Sequence, residues 1–439
     1  MTRPRFCLML LAMASPVDTP PLPPSTSVAE AWRAHHREML SLAAIGFLVL
    51  ASYATARPAC ESLFLAAYSS AALPYVWIGV ALGATLAVWA NNALAARLAL
   101  VQLLRFWLGA AMAVLIVLLG AAQAKVPGAP FALYIWKDIY IVVLVESFWA
   151  YANCIFSTAT ARYFYGAFAV IGALGGIAGN LGIGQLARRY GTMPSLLMVV
   201  TLLALTLIAA RSLDPTIGPQ RRVGPRVTWR DTTQLLARSR YVALLLALVV
   251  IAQLLSNLVD LRFSQVLEQS FPDTDARTAA TGHVYAAIEL GSLGLQLTSS
   301  LVLRLLGVGG TLVSIPGLVA LALGLFVAAP AFATAALLKV TGKALDYSLF
   351  RIAKEMLYIP LSYAEKTQGK AVVDVFGYRV AKAVTAAFIM ALALSTRPAV
   401  LNVMCALFAT AWMLVAWRVA RRGRREGGLA ASPTPLANP

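Results

Sequence analysis

Long apolar stretches recur along this chain with only short polar connections between them. They run near residues 40–56, 74–95, 103–123, 131–156, 164–186, 193–212, 240–262, 281–303, 307–329, 331–350, 374–394 and 399–419. A helix that crosses the hydrocarbon core of a bilayer needs about 20 mostly apolar residues, and longer ones cross with tilt. The composition agrees: 60% of the 439 residues are hydrophobic and 12% charged, whereas a soluble domain is about a quarter charged. A soluble globular enzyme is therefore excluded. The runs are unbroken rather than alternating, which excludes an outer-membrane barrel. Cys7, Cys60, Cys154 and Cys405 are scattered and form no CxxC pair, which excludes a disulfide-built secreted fold. His35, His36 and His283 have no cysteine or carboxylate cluster around them, so neither a metal nor a cofactor is expected.

The stretches divide six and six around a segment that carries Arg221, Arg222, Arg226, Arg230 and Arg238. The expected fold is an all-α membrane protein with twelve transmembrane helices in two six-helix halves. Residues 1–38 would be a disordered extension, 39–213 the first half, 214–239 a basic cytoplasmic linker, 240–420 the second half and 421–439 a basic disordered tail. The net charge of +18 is read as topology rather than as a nucleic-acid surface, because basic residues gather in cytoplasmic connections. With both termini inside a bacterial inner membrane, the inner connections hold Arg33, Arg37, Arg97, Arg105, Arg162, Arg304, Arg351 and Lys354. The 263–280 connection faces out with Glu268, Asp273 and Asp275, and Arg188 and Arg189 fall against the rule. Arg3 and Arg5 before the apolar Phe6–Met13 resemble a signal peptide. Cleavage there would put Arg33 and Arg37 outside, so an extension is the preferred reading.

Ionisable groups inside a span cost about 3 kcal/mol or more at its centre, so each needs a reason. A helix–helix hydrogen bond or snorkelling explains a single one. Several on one face weaken that explanation. In span ten, Lys339, Lys343, Asp346, Phe350 and Lys354 fall on one face of a helix. Three ammonium groups against one carboxylate favour an anionic ligand, because unpaired lysines in a dry bundle are costly. Span eleven continues with Asp374, Tyr378 and Lys382, and Arg379 beside them. Span four aligns Asp138, Glu146, Trp149 and Asn153 with Lys137 adjacent; span seven aligns Gln253, Asn257, Asp260 and Ser264. Span eight aligns Tyr285, Glu289, Ser292 and Gln296, and span one ends in Tyr53, Arg57 and Glu61, the last two spaced to pair. Pro58 between them is expected to bend that helix. Trp149 either stacks on a ligand ring or packs among aromatics, and packing is the commoner outcome. The run from Gly172 to Gly182 lies inside an apolar helix with no strand before it, so Gly172/Gly176 and Gly175/Gly179 signal close helix packing rather than a dinucleotide loop.

Stripes in both halves fit a polar path near the membrane midplane, where two-half transporters bind their cargo. A small-molecule anion is the expected partner, besides the lipid bilayer, and a monomer suffices.

The segment Leu349-Phe-Arg-Ile-Ala-Lys-Glu-Met-Leu-Tyr-Ile-Pro-Leu, then Lys366, Gly369-Lys370-Ala-Val-Val-Asp374 and Arg379 to Lys382, resembles a family signature. It is similar to that of the nucleotide transporters of plastids and intracellular bacteria, the ATP/ADP translocases distantly related to the major facilitator superfamily. Weaker similarity lies at Arg57-Pro-Ala-Cys-Glu-Ser-Leu-Phe-Leu, Leu73-Pro-Tyr and Glu146-Ser-Phe-Trp-Ala. The resemblance implies a major-facilitator-like fold that exchanges nucleotides by alternating access. It also implies that Glu146, Glu289 and Lys382 match functional positions, with Lys354 and Glu355 in the signature itself; these two form an inner gate or hold a helix end.

The leading expectation is an antiporter of nucleotides or a related phosphorylated anion, and not an enzyme. Lys339, Lys343, Lys382, Lys137 and Arg379 would bind the anion. Arg57, Glu61, Glu146, Asp260, Glu289, Asp346, Lys354 and Glu355 would gate or couple. The alternative is a proton-coupled facilitator of a different solute, with Glu146, Asp260 or Glu289 carrying the proton.

Overall fold

The computed structural model describes residues 28–156, 158–215, 239–358, 361, 373, 381–392 and 397–425. All regular structure among these residues is helical. In chain order the helices are α1 (Val28–Tyr68), a 3-10 turn (Ser70–Ala72), α2 (Leu73–Ala95), α3 (Leu100–Gln123), α4 (Ala129–Ile155), α5 (Thr158–Tyr190), α6 (Thr192–Ser195) and α7 (Leu197–Ala209). A second 3-10 turn (Ala210–Ser212) follows, then α8 (Arg240–Ser270), α9 (Thr274–Leu297), α10 (Ser299–Ala328), α11 (Phe332–Tyr347), α12 (Leu349–Met356), α13 (Ala381–Ala391) and α14 (Pro398–Arg425). α1 starts at Val28, so residues 28–38 of the expected extension are helical rather than disordered, and α14 likewise carries helix on to Arg425 inside the expected tail. Residues 1–27, most of the 214–239 linker and Arg379 lie outside the described residues.

Local chemistry sets the helix ends. Gly128 takes a left-handed conformation (φ 89°) that starts α4, and Pro130 stands in its first turn, where a missing N–H costs nothing. At the Ala329-Pro330 boundary α10 stops and α11 restarts, with Thr334 Oγ1 accepting the Ala331 N–H at 3.2 Å. One further break falls at an expected boundary and one where the hydropathy pattern gives no sign. Gly307, at φ 65°, interrupts α10 at the boundary between the expected spans 281–303 and 307–329, with Arg304 in a short helical piece before it. Ser348, at φ −118° and ψ −96°, separates α11 from α12.

Eight helices among the described residues are long and apolar enough to cross a membrane. Outward-facing Leu82, Leu86, Trp89, Leu305 and Leu321 are exposed, as lipid-contacting side chains are. The expected spans that fall short lie in α4, α9, α11 and α13, and these carry the charged stripes or are cut short.

The chain divides into two compact units. The first is Met1–Val223 with Leu267–Leu290; the second is Gly224–Val266 with Gly291–Pro439. In the first unit the glycine run of α5 lies against α1: a Cβ on Gly175 would collide with the Phe47 carbonyl, and one on Gly179 with the Ala51 carbonyl. Close helix packing is thus what those glycines provide. The core of this unit joins α1, α3, α4 and α7 through residues such as Leu42, Ile45, Leu104, Leu108, Leu144 and Leu203.

Candidate functional site

In the first unit α1, α4 and α9 bring a set of charges together. Glu61 is the hub. Its Oε1 lies 3.3 Å from Arg57 Nε and 3.3 Å from Lys137 Nζ, and its Oε2 accepts the Tyr285 hydroxyl at 2.5 Å. Lys137 Nζ also donates to Asp138 Oδ1 at 3.0 Å and sits 3.9 Å from the centre of the Tyr134 ring. The Arg57 guanidinium lies 3.8 Å over the Tyr285 ring. Lys137 is 1% exposed. The expected i,i+4 pair of Arg57 and Glu61 forms, although Pro58 lies between its members in one continuous helix. Glu289, one turn beyond Tyr285 on α9, packs over Gly176: a Cβ there would lie 3.6 Å from its carboxyl carbon.

Glu146 stands apart from this set. Eight residues of helix, about 12 Å of rise, separate it from Asp138, and its Oε2 accepts from Asn91 Nδ2 at 3.3 Å. Asn91 in turn accepts the Trp107 indole N–H at 2.8 Å. Trp149 packs among aromatics, edge-on to Phe148 and Tyr165, and is buried.

In the second unit α8 and α11 build another cluster. Lys343 Nζ donates to Asp260 Oδ2 at 2.6 Å, and Lys339 Nζ lies 3.7 Å from Asp260 Oδ1. Lys339 also stands 4.0 Å from the centre of the Phe263 ring. The lysine side chains are 3% and 4% exposed, the Asp260 side chain 23%. Gln253 Nε2 donates to Asp346 Oδ1 at 3.5 Å, and Asn257 Nδ2 to Thr385 Oγ1 of α13 at 3.2 Å. A small cavity of about 20 Å³ opens beside them, bordered by Ser256, Lys339, Gly342, Lys343, Asp346 and Trp412.

This geometry corrects the expectation of unpaired lysines. Asp260, from a neighbouring helix, serves both ammonium groups, and with Asp346 the cluster holds two positive and two negative charges. The expected single face through Lys354 is corrected too, because it assumed a continuous helix and the chain breaks at Ser348. The break is locally satisfied: Ser348 Oγ donates to the Ala344 carbonyl at 2.6 Å, and Gln296 Nε2 donates to the Tyr347 carbonyl at 3.4 Å. Lys354 is buried in α12 and Glu355 half-buried beside it, while the Leu357 carbonyl at the end of α12 accepts the Tyr241 hydroxyl at 3.1 Å. Lys382 is half-buried at the start of α13, one turn before Thr385.

Three polar or aromatic side chains in or near these groups lie outside the expected stripes. Asn91 had a signal, an amide pair with Asn92 late in an apolar run. Tyr134, placed against Lys137, had none. Arg262 is the last residue of the expected span 240–262; it is 8% exposed, with Nε donating to Asn402 Oδ1 at 2.9 Å and Nη1 to Gln265 Oε1 at 2.5 Å.

Long apolar helices that bury paired charges mark a multi-pass membrane protein, and comparison with solved structures specifies its fold. The chain is similar to a point mutant of the nucleoside transporter NupG, with a TM-score of 0.66 at 14% identity over 86% of this chain and 99% of that one. It is also similar to a bacterial homologue of the iron transporter ferroportin, with a TM-score of 0.63 at 11% identity over 88% and 98%. The fold is that of major-facilitator-like transporters. Residues 131–338 and 314–422 match the model of the TLC ATP/ADP transporter family, and the chain belongs to that family. It is 26% identical over 302 residues to ADP,ATP carrier protein 1 of Chlamydia trachomatis, covering 57% of this chain and 56% of that one. To the plastidic ATP/ADP-transporter of Solanum tuberosum it is 25% identical over 285 residues, covering 55% and 44%. The chain thus spans about half the length of these relatives.

Proposed function

We propose that this chain carries nucleotides, or a related phosphorylated anion, across a bacterial inner membrane by alternating access, with ATP and ADP as exchange partners. Twelve spans in two six-helix halves, both termini cytoplasmic and a monomeric unit complete the reading. The observation that carries it is the pair of buried ammonium groups, Lys339 and Lys343, held one turn apart on α11 beside a small cavity. A phosphate is the kind of ligand that two convergent ammonium groups bind. Lys382 and Arg379 would extend that charge along the following span, and Lys137 would do so in the first unit. The cavity as it stands admits a water-sized group, so a nucleotide requires the site to open. Arg57, Glu61, Glu146, Asp260, Glu289, Asp346, Lys354 and Glu355 would order that opening.

A second reading draws on the balanced charge around Asp260. Lysines already neutralised by carboxylates need no anion, and a carboxylate among them is suited to carry a proton for a different solute. One experiment separates the two. Purified protein in ADP-loaded proteoliposomes is expected to take up labelled ATP, competed by outside ADP and indifferent to an imposed pH gradient. Uptake that follows the pH gradient, or none from protein that is otherwise folded, overturns the nucleotide reading in favour of the second.

A further inference from the structure

Asp260 stands between the two buried lysines. Its two oxygens face Lys343 Nζ at 2.6 Å and Lys339 Nζ at 3.7 Å, so it already contributes what an incoming anion would contribute to both lysines. It is also the most exposed member of the trio, 23% against 3% and 4%. It is therefore the group that can leave while the lysines stay. All three residues belong to the second unit. The neutralisation thus stays with the site whichever side of the membrane the site faces.

We propose that Asp260 is a tethered counter-anion that neutralises the empty site and so lets the unloaded carrier reorient. The inference rests on the anion reading above and extends it to the mode of transport. An exchanger that must be loaded to move is one whose empty site cannot cross the low-dielectric interior. Two bare ammonium groups there are costly. With Asp260 between them and Asp346 beside them, two carboxylates match the two ammonium groups of the empty site, and net uptake into vesicles that hold no counter-substrate becomes accessible. When a phosphorylated anion arrives it takes the lysines, and Asp260 turns to its exposed side.

The test is the ratio of net uptake to exchange, measured with labelled ATP in empty and in ADP-loaded proteoliposomes. The native protein is expected to show net uptake at one-tenth of the exchange rate or more. Asp260→Asn is expected to lower that ratio at least tenfold, and Asp260→Glu to keep it near the native value. A native protein that moves ATP only into loaded vesicles overturns the proposal, as does an Asp260→Asn ratio equal to the native one. A binding measurement separates this failure from failure of the nucleotide reading. Inorganic pyrophosphate should raise the melting temperature of Asp260→Asn more than that of the native protein, because its tethered competitor is gone. If ATP is not carried by either protein but pyrophosphate shows that preference, the nucleotide reading falls and the counter-anion stands. Equal stabilisation of both proteins, or none, overturns the counter-anion itself.

Discussion

At the residue scale the helical period identified the charges but not their partners. Lys339, Lys343 and Asp346 were legible as one face of span ten, and Gln253, Asn257 and Asp260 as one face of span seven. That the two stripes meet, with Asp260 shared by both lysines, is a tertiary fact no local period encodes. The same holds for Tyr285, whose stripe was visible and whose bond to Glu61 was not. Sharing has a measurable cost. Removing one partner of a buried ion pair leaves the other charge uncompensated, typically by 3–5 kcal/mol. Asp260 is partly exposed, so Asp260→Asn should lower stability by about 3 kcal/mol, the lower end of that range, seen as a reduced melting temperature in detergent without ligand. Adding Lys343→Gln should recover part of the loss, since the closer ammonium is then gone; a double-mutant cycle with no coupling would show that the 2.6 Å contact is energetically idle. In transport, Lys339→Gln and Lys343→Gln should each weaken ATP uptake at low concentration. Unchanged uptake in both would remove these lysines from the anion site.

At the scale of elements, apolar runs mark where helices lie, and they mark poorly where helices break. The Ala329-Pro330 stop was legible because proline cannot continue the hydrogen-bond ladder. Ser348 carries no such sign, and its break is held by Gln296 of α9 and by its own hydroxyl, both of which are tertiary or conformational facts. Gly307, whose positive φ breaks α10, falls where one expected span ends near 303 and the next begins at 307, so the hydropathy pattern did mark that break. The glycine run of α5 was the clearer signal, since four-residue spacing places small residues on one face. Its consequence is specific. Gly175→Ala puts a methyl group into the Phe47 carbonyl of α1, where backbone must move, and overpacking of this kind costs about 1–3 kcal/mol. Gly182→Ala, on the same helix with open space around it, should be neutral or up to about 1 kcal/mol stabilising from helix propensity. Thermal unfolding of the two variants in one detergent checks the pair. Equal melting temperatures would mean that α1 and α5 do not pack at that register.

For the whole molecule, hydropathy and loop charge together read more than either alone. A pure length-and-hydropathy criterion finds eight crossing helices among the described residues, and those it passes over in α4, α9, α11 and α13 include the ones whose polar faces build the two charge clusters. Charged and polar residues lower the hydropathy of these helices, so the expected spans there are counted by position and not by hydropathy. On the twelve-span reading proposed above they count as spans. Ser239, before α8, would then lie on the cytoplasmic side and Asp273, between α8 and α9, on the outer side. Without them the crossings from α1 to α7 no longer return the chain to the cytoplasmic side before α8. Asp273 caps α9 by accepting the Ala276 N–H at 2.7 Å, which leaves it at a defined surface turn. With the native cysteines replaced, a single cysteine at position 273 is expected to react with a membrane-impermeant thiol reagent applied to intact cells. One at position 239 should react only after the membrane is opened. The reverse pattern would invert the protein and place the arginine-rich connections outside. Labelling of both positions in intact cells would mean that α8 does not cross as a single span, and the twelve-span reading would fall with it.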